Sequence, residues 1–404
     1  MPSNPEEIAR GVFAEAFGGQ PTSFGQAPGR VELLGNHTDY NGGLVLASAI
    51  DRLTVVVGRK IEGREAKVRS ANLDELDTFP IDTIEPDVTS SAWGRYVRGV
   101  TWAIREESGP IGSGFEAALA GEVPIGAGLS SSASLQAAFA MFLIGEGLTS
   151  LPEEIALDPS ARLELAHTLR RSENEYVGVA SGLLDQFSTL FGKAGHAFLL
   201  DCRSLDCEIL PLGNPSPAII VCDSKTSRRL ADGQYNRRRA ECERVVEHFQ
   251  KRKPDRSITQ LRDITLDELR DEWSTLDPVG RLRARHVLTE NDRVLAGAEA
   301  LRTGNLIRFG ALMSASHASS RDDFENSSPA LDALFEAAEE SPGFLGGKLS
   351  GAGWAGCTVN LVKTEDAVAF ADSLKSGYDR RTGLVPDVHI CHAADGASCQ
   401  RLSG

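Results

Sequence analysis

Two lobes of α+β character are what the 404-residue sequence predicts, on three observations. The length exceeds what one hydrophobic core usually serves, so two domains are expected. Strand-like segments crowd the first half and long amphipathic helices the second, which favours α+β over a regular βαβ array. The composition, 41% apolar and 25% charged, is that of an ordinary globular protein.

The N-terminal stretch "MPSNPEEIARGVFAEAF" reads as an acidic amphipathic helix, with Ser3 and Glu6 spaced as a capping box. It lacks a basic region followed by an apolar core, so it is not a secretory signal. "APGRVELLGNHTDYNGG" (27–43) surrounds the apolar Val31, Leu33 and Leu34 with Arg30, Glu32, Asn36, His37 and Asp39. That mixture predicts a strand feeding a tight loop that holds something polar. Further strands are expected at 53–59, 66–70 and 115–121, the last alternating through Phe115, Ala117 and Leu119. A helix follows "GLSSS", with Leu135, Ala138, Phe139, Phe142 and Leu143 at helical spacing, and another spans about 159–177. "AFLLDC" and "AIIVCDS" read as strands.

Beyond about residue 225, "NRRRAECERVVEHFQKR" and "RLRARHVLTENDRVLAGAEALRTG" read as long helices with charged outer faces. "GCTVNLV" and "DVHICHA" close the chain as strands around a helix near 365–375. "NPSP" (214–217) is the expected junction, dividing the chain into 1–212 and 213–404.

A formal charge of −15 argues against nucleic acid or an anionic membrane as partner, without excluding a small anion in a local cationic pocket. The seven cysteines are odd in number and lack paired spacing, so thiols in a reducing, cytoplasmic setting are expected. His389, Cys391, His392 and Cys399 lack the paired spacing of a metal site. No apolar run approaches the ~20 residues of a membrane span.

Three stretches carry chemistry. In "VPIGAGLSSSASLQAAF" (123–139), Gly126 and Gly128 allow close backbone approach, and Ser130, Ser131 and Ser132 stand where a helix begins. A helix N-terminus offers unpaired N–H groups and partial positive charge, which suits phosphate. The plainer alternative is a glycine turn with an N-capping serine. No G-x-x-x-x-G-K-[ST] or G-x-G-x-x-G motif occurs, so any nucleotide site belongs to another fold. "GGKLSGAGWAGCTVNLV" (346–362) puts five glycines before a strand, as a backbone passing close to a ligand or as a long hairpin loop. In "SENEYVGVASGLLDQFSTLFG" (172–192), Asp185 sits among apolar residues and must be paired or functional. Glu173 could be a solvated helix residue.

Together these stretches resemble the galactokinases of the GHMP kinase superfamily. "GRVELLGNHTDYNGG" resembles the galactokinase signature, "PIGAGLSSSAS" the superfamily's phosphate loop and "GGKLSGAGWAG" its third motif. "GLLDQFSTLFGKAGHAFLLDCRSL", "QYNRRRAECE", "RARHVLTENDRVLAGAEAL" and "SHASSRDDFENSSPALD" are also similar to family sequence, in the expected order from about residue 10 to 395.

The resemblance implies a mixed-sheet N-terminal lobe and a ferredoxin-like C-terminal lobe of antiparallel sheet and helices, with ATP and sugar meeting between them. It implies transfer of the ATP γ-phosphoryl group to the anomeric hydroxyl of galactose by a monomeric, magnesium-dependent enzyme. Asp185 would accept or orient the hydroxyl proton, and Arg30 would keep it ionised and offset phosphoryl charge. Ser132 and Glu173 match the magnesium ligands. Gly126, Gly128, Ser130 and Ser131 would cradle phosphates, and Trp93 matches a tryptophan near adenine, or is a core aromatic. Asp39 and His37, with Gly182 and Tyr235, would line the sugar pocket.

One departure stands out. The family pattern resembles G-R-V-N-L-I-G-E-H-T-D-Y, whereas Glu32 and Asn36 here have exchanged the asparagine and the glutamate. Were 30–36 extended, residues 30, 32, 34 and 36 would share a face, keeping a carboxylate and an amide together at the sugar. The glutamate usual at 36 contacts the sugar's 6-hydroxyl in this family, so a related hexose or uronic-acid kinase (N-acetylgalactosamine or galacturonate) is the alternative substrate reading. Lys348 replaces a usual arginine, and Ala352, Trp354 and Ala355 also depart, with little functional effect expected. A silent galactose/ATP sensor is disfavoured because the serine loop, Arg30 and Asp185 are intact.

Overall fold

The computed structural model describes residues 4–86, 91–151, 158–179, 181–226 and 233–402. The first half runs α1 (Pro5–Phe17), β1 (Ser23–Leu34), β2 (Leu44–Ile61), β3 (Glu65–Ser70), β4 (Glu75–Pro80), α2 (Ala92–Ser108), β5 (Gly114–Gly121), α3 (Ser131–Gly145), α4 (Pro159–Arg171), α5 (Leu184–Phe191), β6 (His196–Asp201) and β7 (Cys207–Pro211). The second half runs β8 (Ala218–Asp223), α6 (Gln234–Arg252), α7 (Leu266–Asp271), α8 (Pro278–Arg302), α9 (Leu306–Ser319) and α10 (Pro329–Glu339). It closes with β9 (Phe344–Ser350), β10 (Cys357–Val362), α11 (Ala367–Thr382), β11 (Asp387–Cys391) and β12 (Ser398–Arg401).

The first sheet has the order β12-β1-β2-β5-β3-β4, with β6 and β7 branching from β2. It is mixed because β3 and β5 run parallel while β1, β2 and β5 are antiparallel neighbours. The second sheet, β11-β8-β10-β9, is antiparallel throughout. Numbered within itself it reads 4-1-3-2, with helices after its first and third strands, the ferredoxin-like arrangement. The α+β expectation holds. The last strand, β12, leaves the second half and pairs Ser398 with Gln26 on β1, so residues 213–404 do not all fold onto the second sheet.

α3 is buried from Ala133 through Gly145, apolar on all sides because the first sheet, α2 and α5 enclose it. Asn4 caps α1 by accepting the Glu6 N–H at 3.0 Å; Ser3, expected as the cap, lies outside the described residues.

Two expectations are corrected here. β1 pairs Glu32 with Ala47 but Leu34 with Leu46, so one extra residue bulges between them. Val31, Leu33 and Leu34 therefore enter one core, while Arg30 and Glu32 face a cleft, and Leu34 does not share their face. The first five residues of the 346–362 stretch belong to strand β9 rather than to a loop. Its glycines serve packing: a Cβ on Gly346 would lie 2.0 Å from the Gly310 carbonyl oxygen of α9.

Candidate active site

Every residue singled out above for a site lines one cleft of ≈ 930 Å³. β1 delivers Arg30 and Glu32, and the turn beyond it delivers Asn36, His37 and Asp39. The start of α3 brings the serines, α5 brings Asp185, and α6 brings Tyr235.

At the centre, Arg30 donates through Nε (2.9 Å) and Nη2 (2.6 Å) to the same oxygen, Oδ1, of Asp185. Its Nη1 donates to the Gly128 carbonyl at 2.6 Å. No described residue hydrogen-bonds Asp185 Oδ2. The carboxylate is thus oriented and charge-balanced with one oxygen left for the cleft, and its side chain is 30% exposed.

The serine end is open. Gly126 and Gly128 take φ of 78° and 77°, a left-handed backbone that glycine adopts without penalty. Ser130 is itself left-handed (φ 56°, ψ 46°) and makes no side-chain cap. Its Oγ is buried with no hydrogen-bond partner among the described residues. An N-capping serine was the plainer reading; instead, the first N–H groups of α3 remain free to hold an anion.

Glu173 is no solvated face residue. α4 ends at Arg171, and a π-helical turn over Ser172–Val177 carries Glu173 inward. Its carboxylate accepts from Gln186 Nε2 (2.6 Å), Ser181 Oγ (2.7 Å) and Ser132. Burial pushes its carboxyl above the ordinary value, and the Asp185 charge adds to that. A hydroxyl and a carboxylate in a locally electronegative spot fit a magnesium ion that keeps several waters.

The end of the cleft around the turn after β1 is tightly braced. Burial lifts the Asp39 carboxyl to about 6, with Glu32 and Asp185 adding repulsion. A Cβ on Gly182 would sit 3.2 Å from Asp39 Oδ2, so a side chain there would crowd the acid. His37 Nε2 faces the Ala352 carbonyl at 3.0 Å and must donate to it, so Nδ1 accepts the Tyr40 hydroxyl at 2.9 Å. Burial holds His37 neutral, down to about 3. Both ring nitrogens are consumed by the protein, leaving the ring itself to line the pocket beside Phe324 and Tyr235. Tyr235 is pushed well up by burial, then by Asp39. At the far end, Trp93 is buried at the start of α2 and donates to Glu75 at 2.6 Å.

Residues not foreseen complete the site. Glu290 on α8 accepts from the Gly35 N–H (2.9 Å), the Asn36 N–H (3.3 Å) and Ser316 Oγ (2.6 Å), while Arg293 donates to its other oxygen at 2.6 Å. His286 Nε2 donates to the Asn36 carbonyl at 3.0 Å. Lys348, fully buried on β9, donates to Glu32 at 2.8 Å. A lone cation between glycines and a leucine was the available signal for Lys348; Glu290 had none, being one charge among many on a long helix.

Three family profiles match: "Galactokinase galactose-binding signature" over residues 11–60, "GHMP kinases N terminal domain" over 95–193 and "GHMP kinases C terminal" over 298–380. A galactokinase of Roseiflexus sp. (strain RS-1) is 43% identical over 385 residues, covering 95% of this chain and 94% of that one. A galactokinase of Pasteurella multocida (strain Pm70) is 36% identical, covering 98% and 99%. The crystal structure of Lactococcus lactis galactokinase complexed with galactose superposes with a TM-score of 0.87 at 33% identity, covering 96% of this chain and 98% of that one. With that extent of likeness over nearly all of its length, and with its cleft built as described, the chain belongs to the galactokinase family of GHMP kinases.

Proposed function

We propose that this chain transfers the γ-phosphoryl group of ATP to the anomeric hydroxyl of D-galactose, releasing ADP and galactose 1-phosphate. The observation that carries the chemistry is the one-sided Arg30–Asp185 pair: both guanidinium bonds fall on Oδ1, and Oδ2 faces the cleft. Oδ2 takes the proton of the anomeric hydroxyl as its oxygen bonds to the γ-phosphorus and the bond from phosphorus to the bridging oxygen of ADP breaks. The transition state is loose, so placement and charge compensation matter more than base strength. Arg30 supplies a fixed positive charge beside the transferring group.

The free N–H groups of α3, with Gly126, Gly128, Ser130 and Ser131, cradle the phosphates. A magnesium ion, when bound, would be held by Ser132 and Glu173 and would neutralise phosphate charge. Trp93 borders the adenine. Asp39, with Gly182, Tyr235 and the His37 ring, shapes the sugar pocket.

We read the enzyme as a monomer, because one cleft of a single chain supplies both the Arg30–Asp185 pair and the serine turn. No helix among the described residues is long and apolar enough to cross a membrane. ATP as donor and seven cysteines standing as thiols support a cytoplasmic location.

A coupled ADP-release assay tests the reading. ADP release with D-galactose and ATP, abolished by chelating magnesium, is expected. Release at the same rate with and without sugar would overturn it.

A further inference from the structure

The exchange at positions 32 and 36 leaves two polar side chains in the same corner of the cleft, in very different states. Asn36 is 1% exposed and its amide is fully spent. Nδ2 donates to the Gly351 carbonyl (2.9 Å) and to Glu32 Oε1 (3.3 Å), and Oδ1 accepts from Asn326 Nδ2 (2.9 Å) and Ser320 Oγ (3.4 Å). Two donors and two lone pairs are all an amide has. Glu32 is half used. Oε1 accepts from Lys348 Nζ at 2.8 Å and from Asn36, while no described residue hydrogen-bonds Oε2. The Glu32 side chain is only 10% exposed, and that exposure is to the cleft.

Oε2 is not sealed in the interior but opens on the cleft, where a ligand hydroxyl can donate to it in place of water. We propose that Glu32, through Oε2, accepts one hydroxyl of the sugar and sets specificity at that carbon, with Asn36 and Lys348 as positioning residues that contact no sugar. The assignment rests on the galactose-kinase reading above. Lys348 neutralises the Glu32 charge and pins Oε1, so the carboxylate has one orientation. The substrate class follows: a sugar with a hydroxyl at that carbon is accepted, a deoxy sugar leaves the oxygen unpaired, and a carboxylate there meets like charge. This disfavours a uronic acid, which a neutral amide at 36 would have tolerated had Asn36 been the contact.

The test measures kcat/KM for D-galactose and its 2-, 3-, 4- and 6-deoxy analogues with the wild type, Glu32→Gln and Asn36→Ala. In the wild type, one analogue should fall roughly 10- to 100-fold below galactose through loss of a hydrogen bond to a charged group. In Glu32→Gln, Lys348 and Asn36 both donate at the Oε1 position, which fixes the amide oxygen there and turns an NH2 to the cleft. The penalty for that one analogue should shrink several-fold, with the others unchanged relative to galactose. Asn36→Ala should shift all five sugars together. A common loss on all five sugars in Glu32→Gln, or a selective one in Asn36→Ala, overturns the assignment. Should Glu32→Gln fail to fold, Glu32→Asp keeps the charge facing Lys348 but withdraws Oε2, and the same selective effect is expected. No turnover of galactose by the wild type overturns the activity reading and this assignment with it; galactose turnover with unselective variants overturns the assignment alone.

Discussion

The two ends of the cleft treat their polar groups in opposite ways. Around the start of α3, Ser130 holds a left-handed backbone, its hydroxyl has no partner among the described residues, and the helix begins without a side-chain cap. Around the turn after β1, the Gly35 and Asn36 N–H groups, the Asn36 amide, both His37 nitrogens and the Thr38 hydroxyl all have protein partners. On the proposed function this end takes the phosphate chain, which is highly charged and bonds well to any converging set of backbone donors, so it can stay unfinished until the ligand arrives. The other end is the one proposed for the sugar, which is neutral and is told from its epimers by the direction of single hydroxyls, and that task calls for a site rigid beforehand. Asp185 stands between them, half braced by Arg30 and half open.

The largest expected effect breaks the midpoint. Asp185→Asn should lower turnover on the order of 10²–10⁴-fold, the usual worth of a positioned base, with ATP affinity held near wild type. Single-turnover kinetics with nucleotide titration measure both, and near-normal turnover would remove the role assigned to this carboxylate.

Next comes the bracing of the turn after β1. Burial alone would raise the Glu290 carboxyl, but Arg293, His286 and Lys348 hold it down at about 2. Its contribution to stability is complete above the unfolded value of 4.5 and is lost as pH falls toward about 2. Glu290→Leu strands Arg293 and two backbone N–H groups and should cost about 3–5 kcal/mol in denaturant unfolding. A loss no larger than that of an exposed glutamate would mean the turn is held elsewhere.

A subtler effect sharpens the contrast. Because Asp39 is raised to about 6, it is protonated on the acid side of that value and ionised above it. Galactose affinity, measured calorimetrically without ATP, should be flat above pH 7 and weaken by up to about tenfold per unit below 6. Asp39→Asn should bind more weakly and show no such slope.

The smallest effect concerns the unfinished end. Ser130→Gly relieves a left-handed residue and should raise stability of the free protein by about 1 kcal/mol. ATP affinity should fall at the same time, as a phosphate donor is lost. A Tm that drops would show Ser130 to be structurally satisfied after all.

Much of this was legible in the sequence, and what was not has physical causes. α3, a long apolar run after a glycine-serine turn, and the strands in 53–59 and 115–121, the last with alternation, were readable directly. The family resemblance supplied the site residues, and they do converge on one cleft. The bulge in β1 was not readable, because it is set by register with β2 and not by residues 30–36 themselves. β9 looked like loop because its glycines answer to Gly310 on a distant helix. The inward turn of Glu173 depends on a switch from α to π winding that leaves no periodic trace. The surroundings of Lys348 and Asn36 were not readable because both donate to Glu32 Oε1, and the Lys348 contact joins residues 316 apart in the chain.

β1 carries Arg30 and Glu32 at one end and is flanked by β12 at the other, with Gln26 and Ser398 bonded across 372 residues. As a ribosome makes this chain, the strand that bears Arg30 and Glu32 emerges early and must wait for a neighbour synthesised hundreds of residues later. Its exposed edge is meanwhile a place where a nascent chain can mispair, and its final docking a slow, non-local event.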